Sequence, residues 1–140
     1  MKGINLGRVI LGGLLAGVIN NVSEYVLNEK VLRTEMEAGM KALGKSLPTS
    51  TQSLCVWLIY GFVVGIASVW LYAAVRPRFG AGPGTAARVG IFMWVMLSLL
   101  FTVAMWNMGL FEIMPLLLVW ELVQLVIATV AGASLYKEAA

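Results

Sequence analysis

The chain has 140 residues, of which 60% are hydrophobic and only 12% are charged, and its net charge is +3. A soluble domain carries about 25% charged residues, and a short chain keeps most of its side chains at the surface. The composition therefore excludes an ordinary soluble domain and indicates a surface covered by lipid. The small net charge argues against nucleic acid as a partner. We expect a single domain over residues 1–140.

Two residue types that dominate metal and nucleophile chemistry are scarce. The chain has no histidine and one cysteine, Cys55. Histidine-based zinc or haem sites and Ser-His or Cys-His nucleophile pairs are therefore excluded, and one cysteine cannot build a thiolate cluster or an intramolecular disulfide. We predict a protein that has no metal site, takes no cofactor and is not an enzyme.

Four apolar stretches are each long enough to cross a membrane, since a spanning helix needs roughly 20 residues for a hydrocarbon core of about 30 Å. They cover residues 9–27, 54–75, 89–106 and 113–136. Continuous apolar runs favour helices over the alternating strands of a barrel. The predicted fold class is all-α, a four-transmembrane-helix bundle.

The segment between the first two stretches carries its own pattern. Within residues 29–47, apolar side chains recur near helical spacing, at Val31, Leu32, Met36, Met40 and Leu43. This pattern predicts a short amphipathic helix on the outer interface of the membrane, or an extension of the first spanning helix. A solvated loop is the alternative.

Local signals predict where the spanning helices begin and end. Thr49 and Gln52 match a capping box at the start of the second helix. Thr85 is a natural N-cap for the third helix. Residues 107–109 (Asn-Met-Gly) predict the end of that helix, and Pro115 fits the first turn of the fourth.

Basic residues predict the orientation in the membrane, because cytoplasmic connections carry an excess of lysine and arginine. The connections on one side hold Lys2, Arg8, Arg76, Arg78, Arg88 and Lys137, against the single acid Glu138. On the other side, the basic residues of the segment 29–47 are offset by glutamates. We therefore expect both termini to be cytoplasmic. Arg76, Arg78 and Arg88 are also candidate contacts for anionic lipid headgroups, although enforcing topology is the alternative role.

Small and polar residues share one face in several of the predicted helices. At about 100° per residue, the shared faces are Gly13, Gly17, Asn20 and Glu24; Gly61, Gly65, Ser68 and Tyr72; and Glu121, Gln124, Ala128 and Gly132. Small residues let two helix backbones approach closely, so we expect these faces to point into the bundle.

Two glutamates lie within apolar stretches, Glu24 late in the first and Glu121 in the fourth. A charged side chain at mid-bilayer costs on the order of 3 kcal/mol and usually faces a bundle interior or a wet cavity. With a rise of about 1.5 Å per residue, several polar side chains fall at similar depth in the outer half of the membrane. The candidate residues for binding a ligand or ion are Glu24, Glu121, Asn20, Asn21, Gln124 and Tyr60.

Two interpretations of these residues stay open. In the functional one they form a pocket that opens outward, where a shared proton or a bound cation relieves the repulsion between the carboxylates. In the structural one the carboxylates and amides bond across helices and fix their register, and Glu24 reaches the outer interface.

Four segments carry a resemblance to known proteins. They are GRVILGG at 7–13, SEYVLN at 23–28, LYAAVRPRFG at 71–80 and AGASLYKE at 131–138. With them the chain resembles an uncharacterised family of small four-helix bacterial inner-membrane proteins. The resemblance implies a multi-pass protein of the bacterial inner (cytoplasmic) membrane and brings no functional residues with it.

These observations lead to two functional hypotheses. The first is a small non-enzymatic integral membrane protein, which either packs as an accessory partner or binds a small ligand or lipid in an outer-half polar pocket. The second is a small oligomeric transporter or channel, coupled to protons or cations, that uses Glu24 and Glu121. The expected partners are membrane lipids and either a larger membrane complex or further copies of this chain, with no nucleic acid.

The orientation can be tested with single cysteines in a Cys55→Ser background. We expect Gly82→Cys to resist impermeant thiol reagents in intact cells and Glu112→Cys to react, because the arginine-rich connection is predicted to be cytoplasmic. Labelling at position 82 without labelling at position 112 would refute this orientation.

Overall fold

The computed structural model describes residues 3–109 and 115–138. In these residues the regular structure is entirely helical. The α-helices are α1 (Leu6–Val26), α2 (Arg33–Ala42), α3 (Thr51–Phe79), α4 (Pro83–Trp94), α5 (Leu100–Asn107) and α6 (Pro115–Ser134). One π-helical turn, Leu27–Val31, continues α1, and another, Val95–Leu99, joins α4 to α5.

The structure confirms the all-α four-helix bundle. Four helical segments are long and apolar enough to cross a membrane: Leu6–Val31, Thr51–Phe79, Pro83–Asn107 and Pro115–Ser134. The chain is thus a multi-pass membrane protein. Lys2, Glu112 and Ile113, which entered the orientation and the fourth predicted stretch, lie outside the described residues.

The amphipathic helix between the first two spans is present as α2. It is shorter than the predicted segment, because Leu27–Val31 extends the first span as a π turn. None of the residues of α2 is buried. Arg33 pairs with Glu29 and Glu37, one turn away on either side, which stabilises the junction. The placement of α2 on the outer interface stays a prediction.

The predicted start of α3 was wrong by one residue. Ser50, and not Thr49, is the N-cap, and its Oγ accepts a hydrogen bond of 3.2 Å from the backbone N–H of Ser53. Adjacent residues with capping hydroxyls are equivalent in sequence, and the extended backbone of Ser50 decides between them. Gln52 lies inside the first turn and does not complete a capping box with Thr49.

The predicted start of α4 was also wrong. The helix begins at Pro83, after Gly82, so Thr85 is not its N-cap. Proline suits a first helical position because its fixed φ is already helical, and Gly82 tolerates its φ of 129° because it lacks a Cβ. The Oγ1 of Thr85 instead donates to the carbonyl of Phe79 at 3.1 Å, across the connection.

The other two boundary signals were right. α5 ends at Asn107, and Gly109 takes a φ of 67°, the left-handed conformation that favours glycine after a helix. Pro115 is the first residue of α6.

α1 packs against α3 and α6, and α4 packs against α6 and less extensively against α3, so that the four spans form a ring. At these crossings backbone meets backbone. A Cβ built on Gly65 would lie 2.5 Å from the carbonyl oxygen of Gly13 and from the amide nitrogen of Gly17. A Cβ on Gly132 would lie 2.6 Å from the carbonyl oxygen of Gly12. The predicted inward faces of α1, α3 and α6 are therefore confirmed.

The apolar core lies toward the end of the bundle that holds the two terminal segments and the α3–α4 connection. Its members are Val9, Ala16, Val69, Tyr72, Ala73, Ala86, Val89, Ala128, Ala133 and Tyr136. The Tyr72 hydroxyl accepts from the backbone N–H of Gly82 at 3.1 Å, and the Tyr136 hydroxyl accepts from that of Asn5 at 3.4 Å. These contacts bring the arginine-rich connection and both terminal segments to one end, which we call the basic end. Its cytoplasmic location stays a prediction.

The opposite end of the bundle is open. α5 has no buried residue, and its packing contacts are with the π turn that precedes it. The first ten residues of α3, Thr51 to Tyr60, are exposed except for the half-buried Ser53. The apolar side chains of these two segments are therefore available to lipid, while the backbone of α3 stays in contact with α1 at Leu58.

Substituting a glycine at one of the backbone crossings should weaken the bundle. We expect Gly65→Ala to destabilise the protein by about 1–3 kcal/mol, because a Cβ there overpacks against backbone atoms that cannot rotate away. Thermal unfolding in detergent measures the effect. Gly7→Ala is the matched control, since a Cβ there makes only an ordinary 3.6 Å contact with Asn5. Equal melting temperatures for the two variants would contradict the backbone contact.

Candidate functional site

The structure places the predicted polar residues around the level where the closed part of the bundle gives way to the open end. α1 contributes Asn20, Asn21 and Glu24, α6 contributes Glu121 and Gln124, and α3 contributes Tyr60. We call these six residues the polar layer. Asn20 and Gln124 are buried, and both glutamates are half-buried.

Glu24 is held by hydrogen bonds from two amides. Gln124 Nε2 donates to Glu24 Oε1 at 2.8 Å, which links α6 to α1. Asn28 Nδ2 donates to Glu24 Oε2 at 2.9 Å and to the Glu24 carbonyl at 2.8 Å. Each carboxylate oxygen thus has one neutral donor and no cationic partner in the described part of the chain.

Glu121 bonds to a different helix. Its Oε2 accepts a short hydrogen bond, 2.5 Å, from Ser98 Oγ. Ser98 lies in the π turn Val95–Leu99, so Glu121 connects α6 to the π turn of the third span. Tyr60, on α3, is exposed.

The two asparagines connect α1 to α3. Asn21 Nδ2 donates to the carbonyl of Leu58 at 3.2 Å, and Asn20 Nδ2 lies 3.5 Å from the carbonyl of Gly61. The side chain of Asn21 occupies the space that a Cβ on Gly61 would need. These amides therefore fix the α1–α3 crossing beside the glutamates.

The polar layer has more hydrogen-bond acceptors than donors. Besides the carboxylates, Asn20 Oδ1 and Gln124 Oε1 are buried and have no hydrogen-bond partner among the described residues. A buried acceptor without a donor costs about 1–3 kcal/mol. A proton, a cation or a ligand N–H group would satisfy such atoms, and another acceptor would not.

An apolar groove of about 370 Å³ lies between α1 and α6, next to the polar layer. Its walls are mainly aliphatic, and its polar members are Ser23, Trp120 and Gln124. Trp120 Nε1 donates to Ser23 Oγ at 2.9 Å across the groove. Gln124 belongs both to this groove and to the hydrogen bond with Glu24, so it joins the apolar space to the carboxylate.

Sequence reasoning missed Asn28, Ser98, Ser23 and Trp120. The spacing of four residues from Glu24 to Asn28 is a detectable signal, because i and i+4 side chains meet on a helix. Ser98 shares one face of the third predicted helix with Trp94, Thr102 and Met105, but its contact with Glu121 depends on how α4 rotates against α6.

The three candidate headgroup arginines do not form one cluster. Arg76 is half-buried, with Nη1 3.5 Å from Glu138 Oε1 and its guanidinium 5.6 Å from the centre of the Tyr136 ring. Arg78 is exposed. The guanidinium of Arg88 lies 6.0 Å from the centre of the Phe79 ring, on the outer surface of α4.

In residues 3–109 and 115–138, no three cysteine, aspartate or glutamate side chains come together as a metal site. Cys55 is exposed on the outer part of α3. Within the described residues, Glu24 and Glu121 are therefore the main candidate functional groups.

The chain matches no protein-family model, no curated protein and no solved structure. The resemblance to the small bacterial membrane proteins stays a prediction, and the functional inference rests on the geometry of the polar layer.

The bond between Gln124 and Glu24 should be visible as an energetic coupling. We expect Gln124→Met to destabilise the bundle by about 1–3 kcal/mol when Glu24 is present, because a carboxylate oxygen loses its donor. The same change in a Glu24→Met background should cost less. A double-mutant cycle of thermal unfolding in detergent measures the difference, and strict additivity would show that the two side chains do not interact.

Proposed function

We propose that this chain is a small non-enzymatic integral membrane protein that binds a small ligand in its polar layer. The ligand carries a positive charge or an N–H donor for Glu24 and an apolar part that lies in the groove between α1 and α6. The observation that carries this proposal is an acceptor-rich layer in which Gln124 joins the carboxylate of Glu24 to an apolar groove.

Electrostatics support a cationic group over a neutral one. The donors that reach Glu24 and Glu121 are the neutral groups of Gln124, Asn28 and Ser98, and no cationic side chain of the described residues pairs with either carboxylate. A unit charge about 4 Å from an opposite charge gains roughly 4 kcal/mol at an effective dielectric constant of about 20. An ammonium group in the layer would therefore interact favourably with the carboxylate of Glu24.

Packing supports binding over free passage. Toward the basic end, the backbone contacts of Gly12 with Gly132 and of Gly13 with Gly65 close the bundle. Toward the other end, the first ten residues of α3 and the whole of α5 include no buried residue within the described ranges 3–109 and 115–138, and we infer that the layer is reached from this end. A ligand would then enter and leave by the open end, which the positive-inside rule assigns to the outer side of a bacterial inner membrane.

A cation-coupled transporter is the second candidate, and the π turn Val95–Leu99 favours it. Such turns occur often at functional sites, and this one contains Ser98, the donor to Glu121. Because α5 beyond the turn has no buried residue, a movement of α5 about the turn would change the surroundings of Glu121.

The proposal predicts tight binding of an amphiphilic amine. In nanodiscs of zwitterionic lipid, we expect decylammonium to bind the protein by calorimetry above the signal of empty nanodiscs, and decanol, with the same chain and no charge, to bind at least about tenfold more weakly, a difference of about 1.4 kcal/mol. Glu24→Gln and, separately, Glu121→Gln should each weaken the binding of decylammonium by a similar factor.

The matched control is Glu35→Gln, which removes an exposed carboxylate in α2, away from the layer. It should bind decylammonium like the wild type. If both layer variants melt normally and still bind like the wild type, the proposal is wrong and the glutamates only fix helix register. If proteoliposomes move the amine in response to a pH gradient and Glu121→Gln stops the movement, the transporter is the correct function.

A further inference from the structure

A second groove, of about 310 Å³, lies between α3 and α4 near the basic end. On α3 its wall is formed by Leu71, Val75 and Phe79, which are spaced one turn apart. On α4 it is formed by Arg88, Val89 and Phe92, with Thr85 at the connection. It is separate from the polar layer and from the groove between α1 and α6.

The groove runs parallel to the helices. Leu71 and Phe79 are eight residues apart in α3, which corresponds to about 12 Å along the helix axis. One leaflet has a hydrocarbon depth of about 15 Å, half of a core of about 30 Å. The apolar wall of the groove thus extends from the end of the bundle through much of one leaflet, as an acyl chain does.

Arg88 supplies one charge at this groove. Its side chain is exposed, and its guanidinium stands over the ring of Phe79, the groove residue nearest the connection. No carboxylate in the described chain pairs with it. A guanidinium binds a phosphate through parallel hydrogen bonds, so Arg88 can receive a headgroup phosphate while the chain below lies against Val75.

The neighbouring arginines, Arg76 and Arg78, do not line this groove. Arg76 points to Glu138 and Tyr136 and belongs to the packing of the C-terminal segment. Arg78 is exposed, and it does not line the groove. The sequence treats the three as equivalent, but only Arg88 combines a charge with an apolar wall.

We propose that the groove between α3 and α4 is a binding site for an anionic phospholipid, with the phosphate at Arg88 and one acyl chain along Leu71, Val75 and Phe79. This site is independent of the proposed ligand at the polar layer. A bound lipid would complete the surface of the bundle where α3 and α4 diverge.

Native mass spectrometry of the detergent-solubilised protein tests the site, with phosphatidylglycerol as the anionic probe and phosphatidylcholine of the same chains as the zwitterionic one. We expect the wild type to retain phosphatidylglycerol preferentially. Arg88→Gln should lower this preference about fivefold, the loss expected for one basic residue at an anionic lipid surface. Val75→Trp should fill the groove and lower the retention of both lipids.

Arg78→Gln is the matched control, because it removes one positive charge from the same end without touching the groove, and it should keep the preference. An equal loss in the two arginine variants would overturn the proposal and indicate general attraction to a basic surface. So would wild-type retention in Arg88→Gln, or no preference in the wild type. Melting temperatures of the variants distinguish loss of the site from loss of the fold. Arg88→Lys, which keeps the charge, is a second variant, and we expect its preference for phosphatidylglycerol to lie between those of the wild type and Arg88→Gln.

Discussion

The direct contact of helix backbones at the centre of the bundle determines the position of everything else. Gly65 packs onto Gly13 and Gly17, and Gly132 packs onto Gly12, with no side chain between the helices. Within a membrane, spanning helices gain little from the hydrophobic effect and associate through close packing and interhelical hydrogen bonds. Once these glycines fix the rotation of α1, its asparagines meet the carbonyls of α3 and Glu24 meets Gln124. The glycine crossings therefore determine where the polar layer forms.

The layer lies at the boundary between a closed part and an open part of the molecule. Below it, small residues and the apolar core leave the helices in contact, and above it the first ten residues of α3 and the whole of α5 include no buried residue. Under the proposed function, a ligand would reach polar groups at such a boundary from one end, while the glycine contacts close the other end. Glu24 of α1 accepts a hydrogen bond from Gln124 of α6, whereas Glu121 of α6 accepts one from Ser98 in the π turn of the third span. The two carboxylates therefore connect different pairs of helices.

The amino-acid sequence was sufficient for the spanning helices, for their inward faces and for the common depth of the glutamates and amides, because each depends on hydrophobicity or on helical periodicity alone. It was insufficient where two local choices are nearly equal, as at Thr49 and Ser50. It was also insufficient where the outcome depends on distant packing. The contact of Ser98 with Glu121 requires the rotation that Gly90 sets against α6, and the pairing of Arg76 requires the C-terminal segment to fold back toward α3. The two π turns could not be predicted, because they leave no mark in the hydrophobic periodicity of the sequence.

The absence of buried residues in α5 has a consequence for how the protein responds to the thickness of its bilayer. Spans that are locked at glycine crossings cannot tilt independently when the hydrocarbon core becomes thinner or thicker, whereas an unpacked segment can. In this chain the adjustment would fall on α5 and would pivot at the π turn that carries Ser98. A change in membrane thickness would thus be transmitted to the hydrogen bond of Glu121, and the same polar layer would differ between thin and thick membranes without any change in its own residues.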